Sequence, residues 1–142
     1  MAAMYAALDR RPSPLAPALR SLVQVRVSQL NGCPFCVDLN RATCLKRGIT
    51  DEKLDELTQF AESTQFDERE KAALDYAEAM TDSNRHGDAS PVTKLQQHFS
   101  DDAIIELTAL IAYQNMSSKF NAALGVPAQG FCTTRGPAAS RA

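Results

Sequence analysis

Hydrophobic residues recur at spacings of three and four along most of the chain, a pattern typical of helices that bury one face. Between residues 17 and 30 the apolar positions on this face are Leu19, Leu22, Val23, Val27 and Leu30. Asn31-Gly32 interrupts the pattern, and Cys33-Pro34 opens a second helix, because proline fits a first helical turn. That helix ends at Gly48. No segment alternates with a period of two, so the sequence predicts an all-α fold.

Capping residues divide the rest of the chain into four further helices. Thr50 caps a third helix, predicted over residues 51 to about 62, and Asp67 begins a fourth as the cap of a capping box. Ser90-Pro91 opens a short helix that runs to about residue 99. Ser100 caps the last helix, which ends at Leu124-Gly125. Since that last helix is apolar on most sides between residues 104 and 113, we expect it to be central and buried.

Length and composition indicate one domain over residues 1–142. The chain is 44% hydrophobic and 23% charged, as in ordinary globular proteins. A net charge of −2 provides no basic surface for nucleic acid. The residues from about 131 onward are mainly Gly, Pro, Ala and Ser, and we expect this tail to be mobile.

No signal peptide or membrane span is apparent in the sequence. The N-terminal segment lacks the apolar core of a secretory signal, and the longest apolar runs are too short to cross a bilayer. We therefore expect a cytoplasmic protein, a compartment where structural disulfides are rare. The four cysteines consequently need another explanation.

Cys33 and Cys36 form a C-x-x-C motif at the predicted start of the second helix. Positions i and i+3 share a helix face, so the two thiols can form a reversible disulfide. The partial positive charge of a helix N-terminus lowers a thiol pKa, and the thiolate is the species that attacks peroxides and disulfides. A second thiol within reach resolves the sulfenic acid. This arrangement favours redox chemistry.

Two other interpretations of the cysteines remain open. A structural zinc site needs four ligands. The candidates beyond the motif, which include no second closely spaced pair, are Cys44, Cys132, His86 and His98. Alternatively, the motif cysteines could be inert buried thiols. We expect no metal and no cofactor. Cys44 is expected to fill the core, and Cys132 to lie in the mobile tail with some access to another thiol.

Three segments resemble the carboxymuconolactone decarboxylase and alkylhydroperoxidase AhpD-like family, in the family's order. They are LRSLVQVRVSQLNGCPFCVDLNRATCLKRG at 19–48, FDEREKAALDYAEAMT at 66–81 and HFSDDAIIELTALIAYQN at 98–115. The resemblance implies an all-α fold and trimers or hexamers. It also implies reduction of alkyl hydroperoxides by the cysteine pair, which other thiol proteins then re-reduce. Decarboxylase members do not need the dithiol, so Cys33 and Cys36 favour the redox branch.

The proton relay of AhpD-type members is absent in its usual form. Its glutamate, tyrosine and histidine positions hold Ser21, Phe35 and Asn40 here. Asparagine can donate a hydrogen bond to a thiolate but cannot take up its proton near neutral pH. We expect Asn40 and Ser21 to line the site without those relay roles.

Other polar residues near the motif are further candidates. Arg26 lies on an apolar helix face, where it could stabilise a thiolate or, more simply, pair with Glu70 or Glu78. Gln29 is a possible substrate contact, as is Gln24. Asp38 is expected to face away from the dithiol or to pair with Arg41, because a neighbouring carboxylate would raise the thiol pKa.

The sequence thus predicts a thiol-dependent peroxidase or disulfide reductase. Cys36 is expected to attack and Cys33 to resolve, following the family, whereas helix electrostatics alone would favour Cys33 as the attacking thiol. Its expected partners are a peroxide or disulfide substrate, a thiol reductant and further copies of the chain, with no nucleic acid or membrane. The alternatives are a non-enzymatic redox-sensing or assembly module and a lyase-like member of the same fold.

Overall fold

The computed structural model describes residues 2–9, 12–85 and 87–132. Every regular element within these ranges is helical, which confirms the predicted all-α class. Two short 3₁₀ turns, Leu57–Gln59 and Ser83–Arg85, accompany the α-helices. The α-helices are α1 Ala2–Asp9, α2 Pro17–Leu30, α3 Pro34–Lys46, α4 Asp51–Asp55, α5 Glu68–Thr81, α6 Ser90–Gln96 and α7 Asp101–Ala123.

The central helix of the fold is α2, which packs against α3, α5 and α7. Its residues 19–25 are all buried, including the polar Ser21 and Gln24. Short neutral polar side chains tolerate such burial because hydrogen bonds to neighbouring groups satisfy them. The sequence suggested a single apolar face for α2, but several of its polar positions, among them Ser21, Gln24 and Ser28, are buried as well.

The last helix, α7, is less buried than predicted. Its inner face carries Leu107, Leu110 and Ile111, whereas Ile105 is 68% exposed and Phe120 is 52% exposed. The expectation of a central, buried final helix therefore holds for this inner face and was wrong for the outer face. An apolar residue on a helix can still face away from the neighbouring helices of its own chain.

The predicted helix starts are confirmed by their cap contacts. The Thr50 and Ser100 hydroxyls accept from backbone N–H groups three residues later, and Asp67 with Glu70 forms a reciprocal capping box. Gly48 follows α3 with a φ of +85°, the left-handed conformation that glycine adopts most readily. These local signals fix where α4, α5 and α7 begin.

The third helix is shorter than predicted. The helix α4 ends at Asp55, and a 3₁₀ turn over Leu57–Gln59 follows it. Leu54, Leu57 and Phe60 are nevertheless all buried. Their spacing of three matches the 3.0 residues per turn of a 3₁₀ helix. The change from α-helix to the tighter 3₁₀ turn therefore keeps all three side chains facing the core.

The N-terminal helix α1 was not predicted. It is short and rich in alanine, the strongest helix former, but offers no long apolar stripe. Tyr5 of α1 packs near Tyr113 of α7, with ring centroids 6.0 Å apart. A backbone carbonyl of α1, that of Leu8, accepts a hydrogen bond from Arg20 of α2. These contacts place α1 over one end of the helical core.

No helix in the described part of the chain is both long enough and apolar enough to cross a bilayer. His86 and residues 133–142, which include most of the tail predicted to be mobile, lie outside the described residues.

Candidate active site

Local backbone geometry places the Cys33/Cys36 pair at the N-terminus of α3. After α2 ends, Gly32 turns the chain with a φ of +59°, and Cys33 becomes the N-cap residue of α3 with extended dihedrals. The Cys33 sulfur accepts the backbone N–H of Cys36 at 3.1 Å. The two Cα atoms lie 5.3 Å apart, and a disulfide joins the sulfurs. Both cysteines thus lie at the N-terminus of α3, where the helix carries partial positive charge, as the sequence predicted.

The two cysteines face different hollows in the protein surface. Cys36 lines a cavity of about 430 Å³ between α1, α2, α3 and α7, which we call the Cys36 cavity. Cys33 lines a more open groove of about 620 Å³, the Cys33 groove, together with Gln29, Val37 and Ala128. Both cysteines are nearly buried, with 1% of Cys33 and 3% of Cys36 exposed. A reagent therefore has to enter one of these hollows to meet a sulfur.

Aromatic and apolar side chains form much of the Cys36 cavity. They are Tyr5, Phe35, Leu39 and Tyr113. Burial, reinforced by neighbouring Tyr5, raises the pKa of Tyr113 above its ordinary value. The phenol is therefore protonated at neutral pH and can donate a proton but not accept one. A cavity with these walls suits a small, uncharged and partly apolar molecule.

Neutral polar groups in the wall of the same cavity, Gln24, Asn40 and Gln114, are joined by hydrogen bonds through Ser28, which itself lines the Cys33 groove. The Gln114 amide donates to the Ser28 hydroxyl at 3.0 Å, and the Asn40 amide donates to it at 3.3 Å. Ser28 in turn donates to the Gln24 carbonyl at 2.6 Å. Among the described residues that line this cavity, none is a carboxylate, histidine, lysine or arginine. The network can orient hydrogen bonds but cannot store a proton near neutral pH.

Asn121 of α7 contacts the Cys36 sulfur across the cavity. Its amide nitrogen lies 3.6 Å from Cys36 Sγ and also donates to the Ser117 carbonyl at 2.9 Å. The second bond fixes the amide so that its other N–H points at the sulfur. Sequence reasoning missed Asn121, because 85 residues separate it from Cys36 and no motif links them.

Of the four residues predicted to line the site, two line a hollow beside the dithiol and two do not. Asn40 lies in the wall of the Cys36 cavity, and Gln29 lies in the Cys33 groove. Ser21 lines neither hollow, because it is buried on the far part of α2 and accepts from Arg47 at 2.9 Å. Arg26 also lines neither.

The Arg26 guanidinium forms an ion pair with Glu78 across the α2–α5 contact, with a closest separation of 2.6 Å. It also donates to the side-chain oxygen of Gln29 at 3.1 Å. The carboxylate pairing anticipated for Arg26 is therefore present, with Glu78 as the partner. Glu70, the other candidate, instead pairs with Lys53 at 2.8 Å and completes the capping box. These contacts give Arg26 a structural role.

Asp38 holds the chain that follows α7 against α3. Its carboxylate accepts the backbone N–H groups of Gln129, Phe131 and Cys132 at 2.8–2.9 Å. Burial alone would raise the pKa of Asp38, but these backbone hydrogen bonds outweigh it and lower the pKa. Phe131 also meets Phe35 edge to face, with centroids 6.0 Å apart. The expected mobile tail is thus anchored at residues 131 and 132.

The anticipated Asp38–Arg41 pair was wrong. Arg41 instead pairs with Asp51 at 2.9 Å and Asp55 at 2.7 Å, at the start and end of α4. Asp38 remains beside the dithiol, because it lines the Cys33 groove. Its negative charge is stabilised by the hydrogen bonds that the carboxylate accepts from three backbone N–H groups.

Cys44, Cys132 and His98 take no part in the disulfide bond. Cys44 is fully buried in the core, and burial raises its pKa to about 12, which fits the predicted filler role. Cys132 is half-buried in the Cys33 groove. His98 lines a separate surface hollow. Across residues 2–9, 12–85 and 87–132, no group of three or more potential ligands is arranged to hold a metal ion.

A family model of the carboxymuconolactone decarboxylase family matches residues 1–79, more than half of the chain and the part that contains the dithiol. The chain belongs to this family. Proteins similar to it include the uncharacterized protein YnjA of Escherichia coli (strain K12), 42% identical over 125 residues, or 88% of this chain and 69% of YnjA. The uncharacterized protein YdfG of Bacillus subtilis (strain 168) is 31% identical over 75% of this chain and 73% of YdfG.

Several solved structures share the fold of this chain. The Agrobacterium tumefaciens protein ATU0492, described as a putative antioxidant defence protein AhpD, superposes with a TM-score of 0.83 at 24% identity, covering 89% of this chain and 86% of that one. The debrominase Bmp8 superposes with a TM-score of 0.81 at 23% identity, covering 91% and 69%. At these identities the likeness establishes the fold, and the neighbours include enzymes.

Proposed function

We propose that this protein is a thiol-dependent peroxidase in which Cys36 attacks the peroxide and Cys33 resolves the product. The observation that carries the proposal is the position of Cys36. Its side chain belongs to the wall of a small, partly apolar cavity, with Cys33 bonded behind it and the Asn121 amide 3.6 Å from its sulfur. A nucleophile, a resolving thiol and a substrate-sized space thus occur together.

The cycle begins with the reduced dithiol. The Cys36 thiolate attacks the nearer peroxide oxygen, the O–O bond breaks, and an alkoxide or hydroxide leaves and takes up a proton. Cys36 is then a sulfenic acid. The Cys33 thiol attacks its sulfur, releases water and forms the disulfide. A thiol reductant restores both thiols by exchange, so that one peroxide is reduced for every two reductant thiols oxidised.

The neutral lining of the cavity determines how the thiolate forms. With only amides, hydroxyls and phenols around Cys36, no side chain of the described cavity wall acts as a general base near neutral pH. The helix N-terminus and the Asn121 amide instead stabilise the thiolate itself. Tyr113, held protonated, can supply a proton to the leaving oxygen if the substrate reaches it. The attack rate should therefore rise with pH toward the Cys36 pKa.

The experiment is a stoichiometric oxidation of reduced protein by an organic hydroperoxide. One equivalent should remove two thiols and form the Cys33–Cys36 disulfide, detected by thiol titration and peptide mass spectrometry. Cys33→Ser should stop at a sulfenic acid that dimedone traps on Cys36, whereas Cys36→Ser should lose fast oxidation. Dimedone labelling of Cys33 in Cys36→Ser, at the wild-type rate, would reverse the assignment of the two roles.

Turnover separates catalysis from redox sensing. A sensor would be oxidised once and stay oxidised with excess thiol donor, whereas a peroxidase would consume many equivalents of peroxide. If the dithiol does not react with peroxide at all, the lyase-like alternative gains support.

A second candidate function is the thiol-dependent debromination of a small aromatic compound. The specific observation is the aromatic wall of Tyr5, Phe35 and Tyr113 beside a dithiol. The debrominase Bmp8 shares the fold, with one structure in complex with 2,3,4-tribromopyrrole. In such a reaction a carbon–bromine bond would become carbon–hydrogen while the dithiol becomes a disulfide and bromide leaves. Bromide release from tribromopyrrole, measured beside peroxide consumption, discriminates between the two functions.

A further inference from the structure

We propose that the reductant and the oxidant reach the Cys33/Cys36 pair through different hollows. The thiol reductant attacks Cys33 through the Cys33 groove, and the oxidant reacts with Cys36 in the Cys36 cavity. This inference rests on the proposed redox role of the pair. It assigns the Cys33 groove as the site where the thiol reductant binds. The reductant then reacts at the Cys33 sulfur and the oxidant at the Cys36 sulfur. The division follows from the lining of the two hollows, since Cys36 lines only the cavity and Cys33 lines only the groove.

The geometry of thiol–disulfide exchange makes access to the attacked sulfur decisive. The attacking, attacked and leaving sulfurs lie nearly in one line, so a thiolate must approach a disulfide sulfur from the side opposite its bonded partner. In the proposed arrangement the thiolate approaches Cys33 from the groove that this residue lines, whereas an approach to Cys36 would have to come from the cavity. The exchange rate depends on which sulfur is attacked and on access to it.

The two hollows differ in the reagents they admit. Tyr5, Phe35 and Tyr113 narrow the Cys36 cavity, which is also the smaller of the two at about 430 Å³. The Cys33 groove is larger and more open, at about 620 Å³. Its walls include Gln29 and two charged side chains, Asp38 and Arg41, which bind other partners rather than each other. A thiol carried by a small peptide or by a protein fits the larger, more open groove better than the smaller aromatic cavity.

The leaving group also suits attack at Cys33. A reductant thiolate bonds to the Cys33 sulfur, the Cys33–Cys36 bond breaks, and Cys36 leaves with the electron pair as a thiolate. That thiolate emerges beside the Asn121 N–H, in the cavity where the next peroxide binds. A second reductant thiol then attacks the reductant sulfur of the mixed disulfide and releases Cys33 as a thiolate. The reductant is oxidised by two electrons, and the enzyme dithiol is restored.

The segment held by Asp38 forms the outer wall of this groove. Ala128 and Cys132 line it, and Asp38 fixes the intervening chain by accepting the N–H groups of Gln129 and Phe131. This wall is therefore an exposed loop, where a bulky substitution does not disturb the helical core. Ala128 is exposed and is the position at which such a substitution would block the Cys33 groove. Leu39, 40% exposed, is the matched position at which a bulky substitution would block the Cys36 cavity.

The test locates the first mixed disulfide. Protein with Cys132→Ser is oxidised with diamide rather than peroxide, treated briefly with glutathione, and quenched with acid and N-ethylmaleimide. Peptide fragmentation should place glutathione on Cys33 and maleimide on Cys36. A second arm uses thioredoxin whose resolving cysteine is replaced by serine, which separates a protein thiol from a small one. Glutathione or thioredoxin attached to Cys36 overturns the proposal.

Rates provide an independent readout if the mixed disulfide resolves too fast to trap. Ala128→Trp should lower the ratio of the glutathione reduction rate to the hydroperoxide oxidation rate by about tenfold or more, since misplacing a reacting group by ~1 Å costs up to about 100-fold. Leu39→Trp should raise the same ratio. Equal ratios in both variants, or the opposite order, contradict the two-sided arrangement. Because the diamide-oxidised protein never meets peroxide, the trapping result stands even if peroxide proves not to be the substrate.

Discussion

Asn121→Ala tests how the protein stabilises its reactive thiolate without a charged relay. The Asn121 amide lies 3.6 Å from Cys36 Sγ, and the bond to the Ser117 carbonyl holds it there. Removing the amide takes away the hydrogen bond that Asn121 can donate to the thiolate. The pKa of Cys36 should therefore rise.

The size of the shift follows from the strength of hydrogen bonds to charged groups, about 1.5–3 kcal/mol. A long bond to sulfur from a half-buried side chain belongs at the lower end, about 1.5 kcal/mol. Since one pKa unit corresponds to about 1.4 kcal/mol, the Cys36 pKa should rise by about one unit. Below the pKa the thiolate population then falls about tenfold, but the more basic thiolate is about threefold more nucleophilic. The net loss of attack rate near neutral pH is about threefold.

The assay is the pH dependence of iodoacetamide alkylation at Cys36. Cys33→Ser and Cys132→Ser remove the neighbouring thiols, and Cys44 is buried with a pKa of about 12. Asn121→Asp is the matched variant, because the carboxylate has nearly the same shape but brings a negative charge. The pKa should increase in the order Asn, Ala, Asp. An unchanged pKa in Asn121→Ala, or a lower one in Asn121→Asp, would refute the assigned role of the amide.

Four further predictions concern the cavity, the anchored segment, the core thiol and assembly. Asn40→His places a titratable base in the cavity wall and should raise the neutral-pH rate of peroxide attack, by up to about 100-fold if the geometry suits general-base catalysis, measured by stopped flow. Because the folded pKa of Asp38 is lowered, its ionised form stabilises the segment at 129–132 above about pH 4, and this stability is lost as the pH falls through the folded pKa. Amide NMR shifts of that segment should report the release, and Asp38→Asn should weaken the anchoring at all pH values. Cys44 should react with Ellman's reagent only in denaturant, and fast labelling of the native protein would contradict its burial. The exposed apolar face of α7, which includes Phe120, should be covered by another copy, so light scattering at micromolar concentration should exceed the 15.5 kDa of one chain and Phe120→Lys should reduce the measured mass.

Local signals predicted the position of the dithiol, and the structure agrees with them. The Asn31-Gly32 interruption and Pro34 specify where α2 ends and α3 begins, because each acts through the backbone of its immediate neighbours. The caps of α4, α5 and α7 are equally local. The extent of α4 was not predicted, because the inward spacing of Leu54, Leu57 and Phe60 also suits a 3₁₀ turn.

The site around the dithiol depends on tertiary contacts that no spacing reveals. Tyr5 of α1 and Tyr113 and Asn121 of α7 join Cys36 in the wall of one cavity although they are far apart in the sequence, and amide groups carry no motif. The partners of Arg26 and Asp38 illustrate the difference. Glu78 could be anticipated because a buried arginine needs a carboxylate, whereas the Asp38 partners are backbone N–H groups of an irregular segment. Backbone donors are present at nearly every residue, so the sequence could not single them out.

Steady consumption of an organic hydroperoxide with a thiol donor in excess tests the central claim most directly. Wild-type protein should consume many equivalents of peroxide per chain, at a rate that increases with pH toward the Cys36 pKa. Cys36→Ser should fall to the background set by the free thiol donor, and Cys33→Ser should lose the disulfide-forming step while retaining a peptide labelled by dimedone at Cys36. Turnover by Cys36→Ser at the wild-type rate, or a wild-type reaction that never exceeds the free-thiol background, would contradict the account.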